Sequence, residues 1–491
     1  MIQYCEGLMK ACRLALLALF IVSPDALVSA QETAAGRAVK TITHEEVYNF
    51  VRTLASPEFE GRYTSHEGHR AAAEWVASNF EEWGLIPYDQ KEGFLQPYPS
   101  PMTLQDGAEM TLLLPDKTDG EGTEPAFREV PLQIESEFLP FLFSASGSGE
   151  AEVVFAGWGV SAPELGYDDF ANIDVSGKFV LLFRGSPTSD EPRLQEWLSQ
   201  NRSSFLTTAR EKGALGILYV YSREPIAYTG TDYVEGYSPV LVSETVADLL
   251  LEEKGTTFSR LKQDLINFQN PISFPLGAKV RYQVRSRHFP DAMSENVIGY
   301  VEGSDPGLRS EVFFLFAHLD HAGSHFGRVF PGAHDNASGS AVVMELAKAF
   351  AQMPEKPKRS VAFVLFTAEE VGLGPGHFTD DLPQQFTKVD GVFNYDMVGV
   401  GDHVSFDLGS LSGEFRELVL EADESLGIVR ESESSRRSGR DYPYLYFASG
   451  GGHTAYEHYH RSSDTIYRIN PEIMANIARL SFLTLYPWVN R

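Results

Sequence analysis

Apolar residues along this chain fall into three regimes. From His44 to Leu54, and again where Ala72, Trp75, Val76, Phe80 and Trp83 recur, spacings of three and four predict amphipathic helices, the second stopped by Gly84. Between about Pro99 and Gln283 the pattern becomes short β-type runs broken by Gly, Pro and Asp. Glu152–Ala156, Lys178–Phe183 and Gly216–Val220 read as strands there, with a helix over Ser203–Lys212 before the last of them. From Ser294 onward, wholly apolar runs alternate with helical stretches such as Ala337–Gln352, and a final helix covers about Pro471–Trp488. Apolar runs without polar alternation predict strands buried on both faces, as in a parallel sheet covered by helices. The expected fold is therefore α/β: a mixed, mostly parallel central sheet flanked by helices, with a smaller β-rich module inserted near its start.

The later apolar runs end in acids or imidazoles. Phe313–Ala317 leads into His318-Leu-Asp320, Val361–Ala368 into Glu369-Glu370, and Val392–Tyr395 into Asp396. Asp335 stands in the glycine-rich turn Pro331–Gly339 that opens a helix, and His453, His458 and His460 crowd together near the C-terminus. Ligands of open α/β sheets bind beyond the carboxyl ends of the strands, where these groups fall. His318 and Asp320, two apart at a strand end, point the same way, so Asp320 can orient an imidazole that binds metal; a satisfied histidine near a sheet edge is the plainer reading. Asp335 can bridge two ions or cap a helix. Adjacent Glu369 and Glu370 repel each other at a buried strand end unless a cation or proton intervenes. One suits a metal and the other suits proton transfer, whereas an exposed acidic loop or a simple cap would explain these glutamates and Asp396 without chemistry. Taken together, two histidines and three carboxylates in a chain without spare thiols suit a pair of zinc ions.

Composition narrows the setting. A length of 491 residues implies two or three domains. A net charge of -28 excludes nucleic acid and anionic lipid as natural partners. Lys10 and Arg13 precede the apolar run Leu14–Val22, and Val28-Ser-Ala30 fits small-residue cleavage before Gln31, so a signal peptide is expected over residues 1–30. That run is shorter than the roughly 20 residues of a spanning helix. The expectation is a secreted or periplasmic protein with no membrane span in the mature chain. Both cysteines, Cys5 and Cys12, lie in this segment, which leaves the mature chain without thiolate ligands or disulfides. Gly157-Trp-Gly159-Val-Ser-Ala162 matches a dinucleotide fingerprint, but Pro163 and Gly166 prevent the helix that must receive a pyrophosphate.

The motifs Ala317-His-Leu-Asp-His-Ala-Gly323, Pro331-Gly-Ala-His-Asp-Asn-Ala-Ser-Gly339, Ala368-Glu-Glu-Val-Gly-Leu373, Asn394-Tyr-Asp-Met-Val-Gly399 and Tyr459-His-Arg-Ser-Ser-Asp-Thr465 occur in this order. On them the chain resembles the M28 family of zinc aminopeptidases over about Ser294–Arg491, and Leu54–Arg62 resembles that family's opening helix and turn. Phe155–Val160, Tyr167–Phe170 and Val175–Lys178 resemble a protease-associated (PA) domain. The resemblance implies a zinc-dependent exopeptidase fold, with an N-terminal part of the catalytic domain at 31–125, a PA-like insertion at 126–283 and the peptidase domain at 284–491. It implies two Zn2+ per chain bridged by Asp335, with Glu370 and His460 completing one site and His318 and Asp396 the other. Glu369 would be the general base, Asp320 the partner of His318, and the Asp335–Asn336 bond cis. His460 is favoured over His458 and His453 because it alone carries the trailing Ser-Ser-Asp-Thr. Peptide or protein N-termini are the implied substrates. His334 replaces a usual acid, and Ser438–Tyr444 with Gly450–Gly452 stands in for a longer substrate-pocket region. The alternatives are a carboxypeptidase or dipeptidase drawing on Arg436, Arg437 and Arg440, a cyclase-type acyltransferase, and a non-catalytic binding protein.

Overall fold

A computed structural model describes residues 36–89, 91–116, 126–189, 191–432 and 442–491. The expected signal segment with both cysteines, and Arg436, Arg437 and Arg440, lie outside the described residues. Helix α1 (His44–Leu54) is capped by Thr43, whose Oγ1 accepts from Glu46 N at 3.2 Å, and buries Val47, Phe50, Val51 and Leu54 on one face. Helix α2 (Glu67–Trp83) ends at Gly84, whose φ of 81° is the left-handed conformation that closes helices without Cβ strain. Strands β1 (Ile86–Pro87) and β2 (Leu95–Pro99) follow.

The chain then builds an eight-stranded sheet from β3 (Met102–Pro115), β4 (Phe127–Pro131), β5 (Phe138–Pro140), β6 (Gly147–Ala156), β7 (Phe179–Phe183), β8 (Gly216–Val220), β9 (Val240–Val242) and β10 (Ser273–Phe289). Their order is β4-β3-β10-β6-β7-β8-β9-β5. Strands β6 to β9 run parallel and the flanking strands antiparallel. Here the sequence boundary at 126 needs correction. Strand β3 pairs with β10 from Leu113 to Met102, so this lobe begins near Met102. The polar stretch after Pro115 separates β3 from β4, which pair with each other, rather than two lobes. At Gly157 the expected trap is resolved as well: the following residues make a turn held by Asp169, which accepts from Trp158 N and Val160 N, and no helix starts there.

The second sheet has seven strands: β1, β2, β11 (Met293–Val301), β12 (Glu311–His318), β13 (Ser360–Phe366), β14 (Lys388–Tyr395) and β15 (Tyr444–Phe447). Its order is β1-β11-β13-β12-β14-β15, with β2 also on β11. Strands β13, β12, β14 and β15 are mutually parallel, while β1, β2 and β13 meet β11 antiparallel. The sheet is mixed with a parallel centre, as the apolar runs imply. In register, His318 lies beside Phe366 and Phe316 beside Asn394, so the residues that follow β12, β13 and β14 emerge along one edge. Helix α3 (Ser338–Ala351) crosses from β12 to β13 and is buried nearly all round, against the sheet on one side and α1 and α4 (Pro471–Val489) on the other.

One polar group inside that packing has a consequence. Glu345 on α3 accepts from Thr43 N through Oε1 at 3.1 Å, while its buried Oε2 has no partner among the described residues. Burial, with the charge of Glu46 beside it, pushes its carboxyl from 4.5 up to about 8. Because the folded state holds this proton more tightly than the unfolded chain, the favourable contribution is complete below about 4.5 and lost as pH rises to about 8. Glu345→Gln keeps the acceptor for Thr43 N and should flatten that decline. We expect it to raise stability at pH 8.5 by about 1–3 kcal/mol and to change little at pH 4.5, read by urea unfolding at both pH values.

Candidate metal centre

The groups that follow the parallel strands converge with two loops on one buried spot. His318 ends β12, Asp396 follows β14, and Glu369 and Glu370 open a short turn after β13. Asp335 comes from the 333–337 turn ahead of α3, and His460 from the loop before α4. The central arrangement is around Asp335. Its Oδ1 is 3.2 Å from His318 Nε2, which is itself 3.3 Å from Asp396 Oδ1. Its Oδ2 is 3.2 Å from His460 Nε2, which is itself 2.7 Å from Glu370 Oε1. One carboxylate thus faces two separate groups of donors, His318 with Asp396 and His460 with Glu370, and the second group also includes His321. Nitrogen and carboxylate oxygen donors about 3 Å apart, with no thiolate, suit borderline divalent ions such as zinc.

Both imidazoles are fixed from behind. His318 Nδ1 donates to the main-chain oxygen of Asp320 at 3.1 Å, with Asp320 Oδ1 farther off at 3.6 Å. His460 Nδ1 donates to Ala227 O at 2.8 Å, a carbonyl contributed by the eight-stranded lobe. With Nδ1 committed, each ring presents Nε2 to the centre. His453 and His458 stay outside: His458 pairs with Ser463 and Glu457, and His453 packs on Tyr459.

Asp335 is held by its surroundings in a way the sequence does not announce. Asp464 accepts from His334 N at 3.0 Å, Asp335 N at 3.0 Å and Tyr456 Oη at 2.8 Å. Asn336 donates to Tyr395 O and accepts from Gly339 N and Met397 N, which ties the turn to the end of β14. The Asp335–Asn336 peptide is cis. His334 faces away, accepting from Gly399 N at 3.0 Å with its ring against Tyr456. Arg62 is fully buried and donates to Leu54 O and Pro331 O, to Leu319 O at 2.7 Å and to Gly332 O at 2.9 Å. It braces the two loops that carry Asp320 and Asp335. Burial lowers its guanidinium to about 10, so it still carries charge at neutral pH.

Sequence reasoning left three further neighbours unassigned. His321 was hidden inside a motif read for His318 and Asp320. Tyr446 donates to Asp396 Oδ2 at 2.6 Å. Tyr459 stacks on His460 with ring centres 3.8 Å apart. With Tyr221, Tyr228, Glu370 and His460, it lines a cavity of about 210 Å³. A tyrosine adjoining a candidate ligand was the available signal for Tyr459.

Electrostatics follow from this crowding. Burial pushes Glu369 up to about 7, opposed by His318 and reinforced by Glu370, Asp396 and Asp320. Burial works against charge on Asp335 too, but the imidazoles of His318 and His460 hold it well below its ordinary value. Those imidazoles, despite burial, are raised well above 6.5 by the carboxylates around them. At pH 7 the metal-free rings therefore keep their protons, and ligation must release them. Zinc uptake at pH 7 is expected to release about two protons per chain, measured by calorimetry in buffers of different ionisation enthalpy. An uptake that releases none would contradict ligation through His318 and His460.

Residues 296–485 match the model of peptidase family M28. Aminopeptidase YwaD of Bacillus subtilis is 25% identical over 295 residues, covering 58% of this chain and 51% of that protein. Leupeptin-inactivating enzyme 1 of Streptomyces exfoliatus is 40% identical over 110 residues, 22% of this chain and 23% of its own length. The chain thus spans about half, or less, of the curated relatives it matches. Among solved structures, a peptidase M28 precursor from Shewanella amazonensis aligns over 94% of this chain and 97% of its own, at TM-score 0.62 and 19% identity. An aminopeptidase from Aneurinibacillus sp. aligns over 92% and 95% at TM-score 0.60 and 19% identity. At that identity these likenesses establish the fold.

Proposed function

We propose that this protein is an exported di-zinc exopeptidase that removes N-terminal residues from peptides, with Glu369 as general base. One observation carries the reading: the two oxygens of Asp335 face separate donor sets, His318 with Asp396 and His460 with Glu370. That is the arrangement a bridging carboxylate needs when two ions sit about 3.5–4 Å apart. The names of its relatives support peptide substrates, and the density of carboxylates favours a cationic N-terminal amine over an anionic terminus. Export rests on the pattern of residues 1–30. In the described residues no helix is long and apolar enough to cross a membrane. The eight-stranded lobe is read as the PA-like insertion and the seven-stranded part as the peptidase domain.

Bound zinc would supply an acidified water, its pKa brought toward about 7, and a polarised scissile carbonyl. The chain's own groups do the rest. Asp320 holds the His318 ring through its main-chain oxygen, and Ala227 does the same for His460. Tyr446 holds one oxygen of Asp396 and leaves the other facing His318. Glu369, beside the His318–Asp396 pair and not among the donors that face Asp335, would accept the proton of that water and return it to the departing amine. Tyr459 and Tyr221 line the adjacent cavity beside Glu370 and His460. A carboxypeptidase of the same mechanism is the second reading. It is favoured by one feature, the Arg184 guanidinium 3.9 Å over the ring of Tyr221, beside that cavity.

The test is hydrolysis of aminoacyl-anilides against N-blocked peptides with free C-termini, with and without chelator and restored zinc. Chelator-sensitive cleavage of the unblocked anilides alone is expected. Glu369→Gln should lower kcat by roughly 10²–10⁴-fold while retaining zinc. Cleavage of the blocked peptides alone moves the assignment to carboxypeptidase, and silence on both with two zincs bound sinks the catalytic reading.

A further inference from the structure

His321 follows Asp320 directly, and its side chain is fully buried. Neither ring nitrogen has a hydrogen-bond partner among the described residues. Burying an imidazole with both nitrogens unsatisfied forfeits the hydrogen bonds water would give it, so a missing partner is implied. The ring is not free to turn and find one. It lies flat against Gly332, where a Cβ would come within 2.4 Å of His321 Cγ, so glycine alone permits this approach. Its edge meets the ring of His460, with centres 5.4 Å apart and planes at 83°.

From this fixed position Nδ1 points at Asp335 Oδ2, 3.8 Å away. That is too long for a hydrogen bond. It is the right separation for two donors of one ion, since atoms each about 2.1 Å from a zinc lie up to roughly 4.2 Å apart. Asp335 Oδ2 is likewise without a hydrogen-bond partner. Two buried, unsatisfied atoms thus face a common point, and the ligand atoms of Glu370 and His460 lie within 4.8 Å of both.

We propose that His321 is a direct ligand of the ion held by Glu370 and His460, so that this site has four protein donors, the other site has three, and the pair is asymmetric. The inference rests on the two-metal reading above. It divides the labour of the centre. Four protein ligands with Asp335 shared leave little room for an additional donor on the Glu370 side, so the His318–Asp396 site, next to Glu369, is where a substrate oxygen is taken up. His321 thereby fixes which of the two positions is structural and which is open.

The experiment is X-ray absorption at the zinc edge on the full-length protein loaded to two zincs per chain, which counts imidazoles directly. Three histidines shared between two ions are expected, falling to two in His321→Ala. Chelator competition gives a second readout: one of the two zincs should be held at least tenfold more weakly in His321→Ala and in His321→Gln, the other unchanged. Gln keeps a hydrogen-bonding amide, so recovery of the affinity by Gln would mark His321 as a partner of Asp335 and overturn its role as a ligand. Two imidazoles per two zincs in the wild type would also overturn it, while leaving the peptidase reading intact. A wild-type protein that takes up fewer than two zincs overturns both. Where His321→Ala fails to fold, the wild-type imidazole count decides alone.

Discussion

Five carboxylates, those of Asp320, Asp335, Glu369, Glu370 and Asp396, meet at the edge of the parallel strands, and this concentration of negative charge is what the rest of the structure must accommodate. Like charges a few ångströms apart in a low-dielectric site cannot all ionise unaided. Positive charge has to be present. In the metal-free protein, protons on His318 and His460 and the buried guanidinium of Arg62 supply part of it, and Glu369 yields by holding its own proton. Divalent ions would supply the rest while turning the same imidazoles from cations into ligands. The same crowding that disfavours the uncompensated site would give it affinity for divalent ions, and it also raises the Glu369 carboxyl.

Holding such a cluster together strains the backbone, and the strain is local. Ala368, just before Glu369, Met397, just after Asp396, and His460 itself all adopt positive φ, at 46°, 57° and 52°. None is glycine, and each such residue costs about 1–3 kcal/mol. The conformations are enforced by ladders on either side. Asp396 N and Ser449 N bond across to Phe447 O and Met397 O, so the turn at Met397 cannot relax without breaking β15 from β14. Arg62 acts similarly at longer range, since its donors span Leu54, Leu319 and Pro331–Gly332 and lock the first helical segment to both ligand loops.

Much of this was legible in the sequence because the centre of the seven-stranded sheet is parallel. A strand buried on both faces leaves an unmistakable apolar run, and the first polar residue after it marks the carboxyl edge, which is how His318, Glu369, Glu370 and Asp396 declared themselves. Asp335 and His460 lie on loops, where no periodicity applies, and only the family motifs distinguished His460 from His453 and His458. What stayed hidden depends on distance in space. Asp464 looks like a residue trailing His460 until its oxygens are found on the amides of His334 and Asp335. The lobe boundary failed for a related reason: β3 finds its partner β10 some 170 residues later, at Met102 with Phe289 and Leu113 with Lys279, and a polar stretch after Pro115 resembles a linker only when that pairing is unseen.

The dependence of the centre on the second lobe follows from one pair of hydrogen bonds in particular. His460 is bonded to Ala227 twice, through Nδ1 to its oxygen and through its own carbonyl from Ala227 N, each at 2.8 Å. Around this pair Glu135 accepts from Ser462 N and pairs with Arg328, and Glu224 pairs with Arg461. The loop carrying His460 is therefore anchored less by its own sheet than by a neighbouring lobe. A module that served only to recruit partners would not need to touch a ligand. Here the lobe fixes the tautomer and aim of the imidazole, so the donor group of His460, Glu370 and Asp335 is assembled only where both lobes meet. Tyr221 and Tyr228, from the same stretch of that lobe, also wall the cavity beside Glu370. One short segment thus both orients the His460 ring and lines the cavity beside Glu370.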